Sequence, residues 1–147
     1  MLKKYFYILA LLLFSQMSYS QTVTYYPWNS LFEISSNPQN RLWAQFRLQG
    51  NSVFSSMNTE FAPMLTVKRN PKSVIYIGPG VQINLLNHVN DKKLLNGYFF
   101  NVGTRVYPFE KTKEVAIAFE LSPYANKDFD IGTWRYLFGV SYSFGRK

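Results

Sequence analysis

The chain has 147 residues, a formal net charge of +8 and no cysteine, so disulfide bonds, thiolate catalysis, cysteine-ligated metals and lipid attachment at a cysteine are excluded. Aromatic residues make up 18% and charged residues 16% of it, yet mean hydropathy is only -0.15, a balance that suits strands alternating apolar with polar side chains. The positive charge is spread over turns rather than drawn into one stripe, which argues against a nucleic-acid partner and leaves lipid phosphates as the expected counter-charge.

Lys3 and Lys4 precede an apolar run over residues 5–14 that is too short to cross a bilayer as a helix. Ser18 and Ser20 follow as small residues spaced like a cleavage site. Residues 1–20 are therefore expected to be a Sec-type signal peptide removed before Gln21, with residues 21–147 forming one exported domain. Loss of Lys3 and Lys4 lowers the net charge from +8 to +6.

Beyond that point the chain reads with period two, with turn signals between segments. Thr22 to Tyr26 is either a separate strand, which requires a tight turn at Pro27 and Trp28, or an extension of the strand at 29–36, where Phe32 and Ile34 oppose Glu33. In residues 41–49, Leu42, Ala44, Phe46 and Leu48 share one face, and Arg41, Trp43, Gln45, Arg47 and Gln49 the other. After a Gly50-Asn51 turn, Val53, Met57, Phe61, Pro63, Leu65 and Val67 oppose Ser56, Asn58, Glu60 and Ala62, and a turn is predicted over residues 68–72. The next strand sets Ile75, Ile77, Pro79, Val81, Ile83 and Leu85 against Tyr76, Gly78, Gly80, Gln82 and Asn84; residues 86–94 then read as a polar loop.

From Gly97, Tyr98, Phe100, Val102, Thr104 and Val106 oppose Asn101, Gly103 and Arg105, with a turn over residues 109–113. Val115, Ile117, Phe119 and Leu121 then oppose Ala116, Ala118, Glu120 and Ser122, ahead of a loop at 125–132. The last strand sets Trp134, Tyr136, Phe138, Val140, Tyr142 and Phe144 against Arg135, Gly139, Ser141 and Ser143.

Alternation alone also fits a soluble lipocalin-like barrel or a β-sandwich. Volume decides: the six large side chains of the last strand would overfill a small barrel and leave Gly, Ser, Asn and Arg as its outer surface. With the faces inverted, Gly78, Gly80, Gly97, Gly103, Gly139, Ala116 and Ala118 suit a narrow lumen and the apolar face meets lipid. The inward set then holds Arg47, Arg105 and Arg135 with Glu33, Glu60 and Glu120, residues that can form an ion-pair network along the barrel axis. Tyr25, Tyr26, Trp28, Tyr107, Tyr124, Trp134 and Tyr142 near strand ends are expected in the aromatic girdles at the two interfaces.

The fold expected is thus all-β: an antiparallel up-and-down transmembrane β-barrel of about eight strands. Its ending, Phe138-Gly-Val-Ser-Tyr-Ser-Phe144, followed by Gly145, Arg146 and Lys147, resembles the terminal strand of the small outer-membrane β-barrel families of OmpX, OmpW and OmpA-barrel type. The resemblance implies residence in a Gram-negative outer membrane, outer-membrane lipids as neighbours, and recognition of Phe138, Val140, Tyr142 and Phe144 by the barrel-insertion machinery. It supplies no catalytic motif.

The residues themselves point away from catalysis. A lipid deacylase or acyltransferase needs a histidine paired with a serine, and the sole histidine, His88, falls in a loop beside Asn87 and Asn90. One histidine without cysteine makes no structural metal site, and Asp128 and Asp130 lack a calcium-loop pattern. Gly78-Pro79-Gly80 lies in a strand with no following helix and is not a phosphate loop. The expectation is a non-enzymatic outer-membrane barrel, without cofactor, in an envelope-structural or surface-interaction role. A small-solute pore, a lipid-modifying barrel enzyme and a soluble lipocalin-like barrel are the alternatives.

Overall fold

A computed structural model of the protein describes residues 21–50, 58–89 and 92–145, with 88 and 89 described by their backbone alone. The expected signal peptide, the Asn51 side of the Gly50-Asn51 turn, and Val53, Ser56 and Met57 lie outside the described residues. Strands β1 (Thr22–Tyr26), β2 (Leu31–Ser35), β3 (Leu42–Gln49), β4 (Asn58–Asn70) and β5 (Ser73–Asn84) lead to a short helix, α1 (Leu85–Val89). β6 (Leu95–Val106), β7 (Val115–Leu121), β8 (Tyr124–Asn126), β9 (Gly132–Thr133) and β10 (Tyr136–Ser143) complete the chain.

All pairings are antiparallel, and the order β5-β4-β3-β2-β1-β10-β7-β6 closes on itself through β5 and β6. The ten segments form a closed barrel of eight strands, because β8 continues β7 and β9 continues β10. β6 pairs Val102 with Leu121 and, three steps on, Phe99 with Tyr124; Leu121 pairs with Tyr136 and Tyr124 with Thr133 at the same spacing. The break falls at Ser122-Pro123, where proline has no N–H to donate. Even there, the Ser122 N–H reaches the Arg135 carbonyl at 2.8 Å, and the Pro123 carbonyl accepts from Phe100 at 3.1 Å.

The open question about Thr22–Tyr26 resolves into a separate strand: Pro27–Asn29 makes a single 3-10 turn, and Ser30 takes a left-handed conformation (φ 49°) that reverses the chain into β2. Proline's fixed φ and missing N–H suit the first position of that turn. At the opposite end, β1 meets β10. Thr22 and Ser143 hydroxyls bond at 2.8 Å, Thr24 and Ser141 do the same, and the Phe144 N–H donates to the Gln21 carbonyl at 2.8 Å. We call this the terminal end, and the end carrying the 27–30, 85–94 and 127–131 connections the far end.

Burial follows the period of two. On β10, Leu137, Gly139, Ser141 and Ser143 are buried while Tyr136, Val140 and Tyr142 are exposed on the outside. The outer wall is apolar around the circumference, with Phe32, Phe46, Phe61, Phe100 and Phe119 all more than 40% exposed. The inner wall carries the buried charges, hydroxyls and small residues.

Several expectations need correction. Tyr26 and Tyr107 are buried inside the barrel, and Tyr124 faces Arg135 there, so none of the three stands in an outer aromatic girdle; Tyr25, Trp28, Trp134 and Tyr142 are exposed on the outside. Their parity explains this, since Tyr26 shares a face with Thr24, and Tyr124 with Ser122 and Glu120. The 125–132 loop is shorter than expected because β8 and β9 extend the wall past Pro123. The 86–94 loop includes most of α1. Strands β4 and β5 run to a two-residue turn at Pro71-Lys72, through a bulge at Val67.

Candidate functional site

The interior is where this chain concentrates its chemistry. Inward positions are set by strand parity, and neighbouring strands bring the charged ones together: Glu33 on β2 is the direct partner of Arg47 on β3, which is in turn the partner of Glu60 on β4. Nε of Arg47 donates to Oε2 of Glu33 at 2.9 Å, its Nη1 lies 3.6 Å from Oε2 of Glu60, and its Nη2 donates to Glu120 from across the lumen. Arg105 donates to the other oxygen of Glu33. Arg135 donates to Glu60, to the Ser122 hydroxyl at 2.8 Å and to the Ser122 carbonyl at 3.3 Å.

All six residues of the expected lumen set therefore lie in one connected cluster, three arginines against three glutamates. Arg47 and Arg105 are 0% exposed, and only Arg135, toward the far end, is partly open. Burying charges like these costs several kcal/mol per ion unless partners compensate. The equal count of opposite charges and the shared carboxylates supply that compensation.

Aromatic rings and phenols complete the cluster. Tyr26 donates its hydroxyl to Glu120 at 3.0 Å and lies 3.2 Å from Glu33, and Tyr76 also donates to Glu120. Each guanidinium rests on rings: Arg47 over Tyr26 (5.4 Å), Arg105 over Trp43 (5.1 Å) and Tyr76 (5.6 Å), and Arg135 over Phe99 (5.2 Å) and Tyr124 (5.4 Å). For Arg105 this matters most, since its Nε and Nη1 have no hydrogen-bond acceptor among the described residues.

Space for these rings comes from glycine on the adjoining strand. A Cβ at Gly103 would stand 2.6 Å from Cγ of Glu120 and 2.7 Å from the Tyr76 ring; one at Gly139 would stand 2.7 Å from the Tyr26 ring. Neither could be accommodated without displacing the network.

Sequence reading missed the inward places of Tyr26, Tyr124, Phe99 and Leu137. The signal was present as parity: Phe99 lies between inward Gly97 and Asn101, and Leu137 between inward Arg135 and Gly139. Of the terminal-strand residues, Val140, Tyr142 and Phe144 are exposed and Phe138 packs against Trp28 and Phe119, all on the outer wall.

Among the described residues, other candidate chemistry is not drawn into the cluster. The backbone of His88 lies in α1 and its side chain lies outside the described residues. Asp130 closes the far-end turn with Asn126, whose Oδ1 accepts from its N–H at 3.1 Å. Among the described residues, no group of three or more His, Cys, Asp or Glu side chains could hold a metal ion.

Fold and interior together define a class: a closed eight-stranded antiparallel barrel with an apolar outer wall and a charged, filled centre. Comparison with protein-family models, curated proteins and solved structures finds no match to this chain.

Proposed function

We propose that the protein is an integral outer-membrane barrel of a Gram-negative envelope, exported by residues 1–20 and serving a non-enzymatic role in envelope architecture or surface contact, in the manner of the small OmpX-type barrels. The observation that carries this reading is the inverted polarity of the wall: large apolar side chains outside, ion pairs and phenols inside. Water does not reward such an arrangement, because an apolar surface of this extent on a monomer is an aggregation liability. A bilayer does reward it, since lipid accepts the apolar band and the closed sheet leaves no unpaired strand edge in the hydrocarbon.

The filled lumen favours this reading over a passive pore. Arg47, Tyr26 and Tyr76 are 0% exposed and meet at Glu120, occupying the centre of the section through which a solute would pass.

Membrane fractionation with and without detergent tests the proposal. The full-length gene product should sediment with membranes, require detergent for release, begin at Gln21 by intact mass, and give no defined conductance in planar bilayers. Recovery as a soluble periplasmic protein would overturn it.

A further inference from the structure

The outer wall is not uniform. Between the pairs Phe61–Val81 and Leu65–Ile77 the β4–β5 ladder has no paired residues, and counting inward from both sets Pro63 opposite Pro79. Two facing prolines remove two backbone donors from the ladder and present short, compact side chains to the outside. Ala44, the partner of Pro63 on β3, is also small. Around this low ground stand Leu42, Leu65, Ile77 and Phe100, so the wall is indented into an apolar groove.

Leu65 also borders a second depression toward the terminal end, lined by Val67, Gln39, Arg41 and Arg69. The bulge at Val67 separates the two by a single step of β4 beyond Thr66. Both arginines have inward parity, Arg69 as the partner of Val74, but they lie past the last β3–β4 pair, Leu42–Leu65, at the rim of the barrel, where Arg69 donates to the Gln39 carbonyl at 2.7 Å and both are exposed. The apolar groove thus shares Leu65 with a rim pocket lined by two arginines.

We propose that this surface holds one anionic glycerophospholipid, with an acyl chain in the proline groove and its phosphate diester between Arg41 and Arg69. Charge complementarity selects this occupant: a zwitterionic or neutral lipid would fill the groove equally well but would not compensate two cationic residues lining one pocket. Position selects the leaflet. The arginines lie at the terminal end, with Lys68 and Lys72 close by in sequence, and guanidinium groups at this level meet headgroups while Pro63 and Pro79 lie at acyl-chain depth. The inference rests on the membrane-barrel reading.

The test uses the full mature chain in detergent micelles and in vesicles, with dioleoyl phosphatidylglycerol and dioleoyl phosphatidylcholine as probes and native mass spectrometry as readout. The wild type should retain one phosphatidylglycerol in preference to phosphatidylcholine. Affinity should fall roughly fivefold for each of Arg41→Ala and Arg69→Ala, the equivalent of about 1 kcal/mol per basic residue at an anionic surface. Pro79→Phe should fill the groove and lower retention of both lipids, whereas Lys92→Ala at the far end should change neither.

Equal retention of the two lipids, or arginine variants indistinguishable from wild type, would overturn the lipid site while leaving the barrel in the bilayer. So would displacement of the lipid by a second copy of the chain, or binding of lipid A but not phosphatidylglycerol. Failure of the wild type to insert into either vesicle would instead overturn the membrane reading itself.

Discussion

Glu33 and Arg47 are partners twice over, once as facing residues in the β2–β3 ladder and again through a 2.9 Å bond between their side chains. Both are fully shielded from solvent. The backbone register therefore fixes the ion pair, and the ion pair penalises any slip of the register, because a one-residue shift of either strand would turn its charge outward into the apolar band and leave the partner charge buried alone.

Removing one member of this buried cluster is expected to be costly. Glu120→Leu leaves Arg47 without one carboxylate, strips the acceptor from the Tyr76 hydroxyl and leaves the Tyr26 hydroxyl with Glu33 alone. A loss of about 3–5 kcal/mol is expected, as for other broken buried pairs. Lys92→Ala, at an exposed far-end position, should stay within about 0.5 kcal/mol. Urea unfolding in detergent or vesicles checks both, and coincident midpoints would argue against an interior network.

A double-mutant cycle separates buried from exposed pairing. Lys72 and Glu110 approach to 2.7 Å, but their side chains are 71% and 77% exposed. Their coupling should be at most about 1 kcal/mol and fade with added salt. The Glu33–Arg47 cycle should give a coupling of more than about 1.5 kcal/mol that salt barely alters. Similar values for the two cycles would show that the lumen is open to solvent ions.

Glycine positions offer a steric test. Gly103→Ala places a methyl against Glu120 and Tyr76 and is expected to cost about 1–3 kcal/mol by overpacking. Gly132→Ala meets only the Tyr124 carbonyl, at 3.6 Å, and should be close to neutral. The comparison is read from the unfolding midpoints of the two variants.

The outer wall makes its own prediction. Val140→Arg, on the exposed face of β10, should cost about 2–4 kcal/mol in a bilayer if that position lies near the midplane. Spin labels at each position from Phe138 to Ser143 should alternate in accessibility to a lipid-soluble quencher, with 138, 140 and 142 accessible. An absent or opposite alternation would remove the basis for placing this wall in lipid.

Strand parity made most of the barrel legible in the sequence. It placed Trp43, Arg47, Glu60, Tyr76, Arg105 and Glu120 on the inner wall, because inward residues had to be those an apolar environment rejects or a narrow space admits. Where residue type was allowed to outweigh parity, the reading failed: Tyr26, Tyr107 and Tyr124 were expected at interfaces, yet all three are turned inward. Parity gave their direction, but the room the rings occupy comes from cross-strand neighbours, such as Gly139 beneath Tyr26, whose identity no local pattern reveals. The facing prolines of β4 and β5 were hidden for the same reason, since Pro63 and Pro79 become opposite only once the register is known.

The hydroxyl bond between Thr22 and Ser143 spans a sequence separation of 121, and it lies in the pair of strands whose union makes the sheet continuous. Until β10 has emerged from the ribosome, β1 and β7 each carry a bare row of backbone donors and acceptors. Such rows invite pairing with the wrong chain. The protein therefore cannot acquire its shape progressively during synthesis. The cylinder is completed in a late step of high contact order, and the joint between β1 and β10 is where that step takes place.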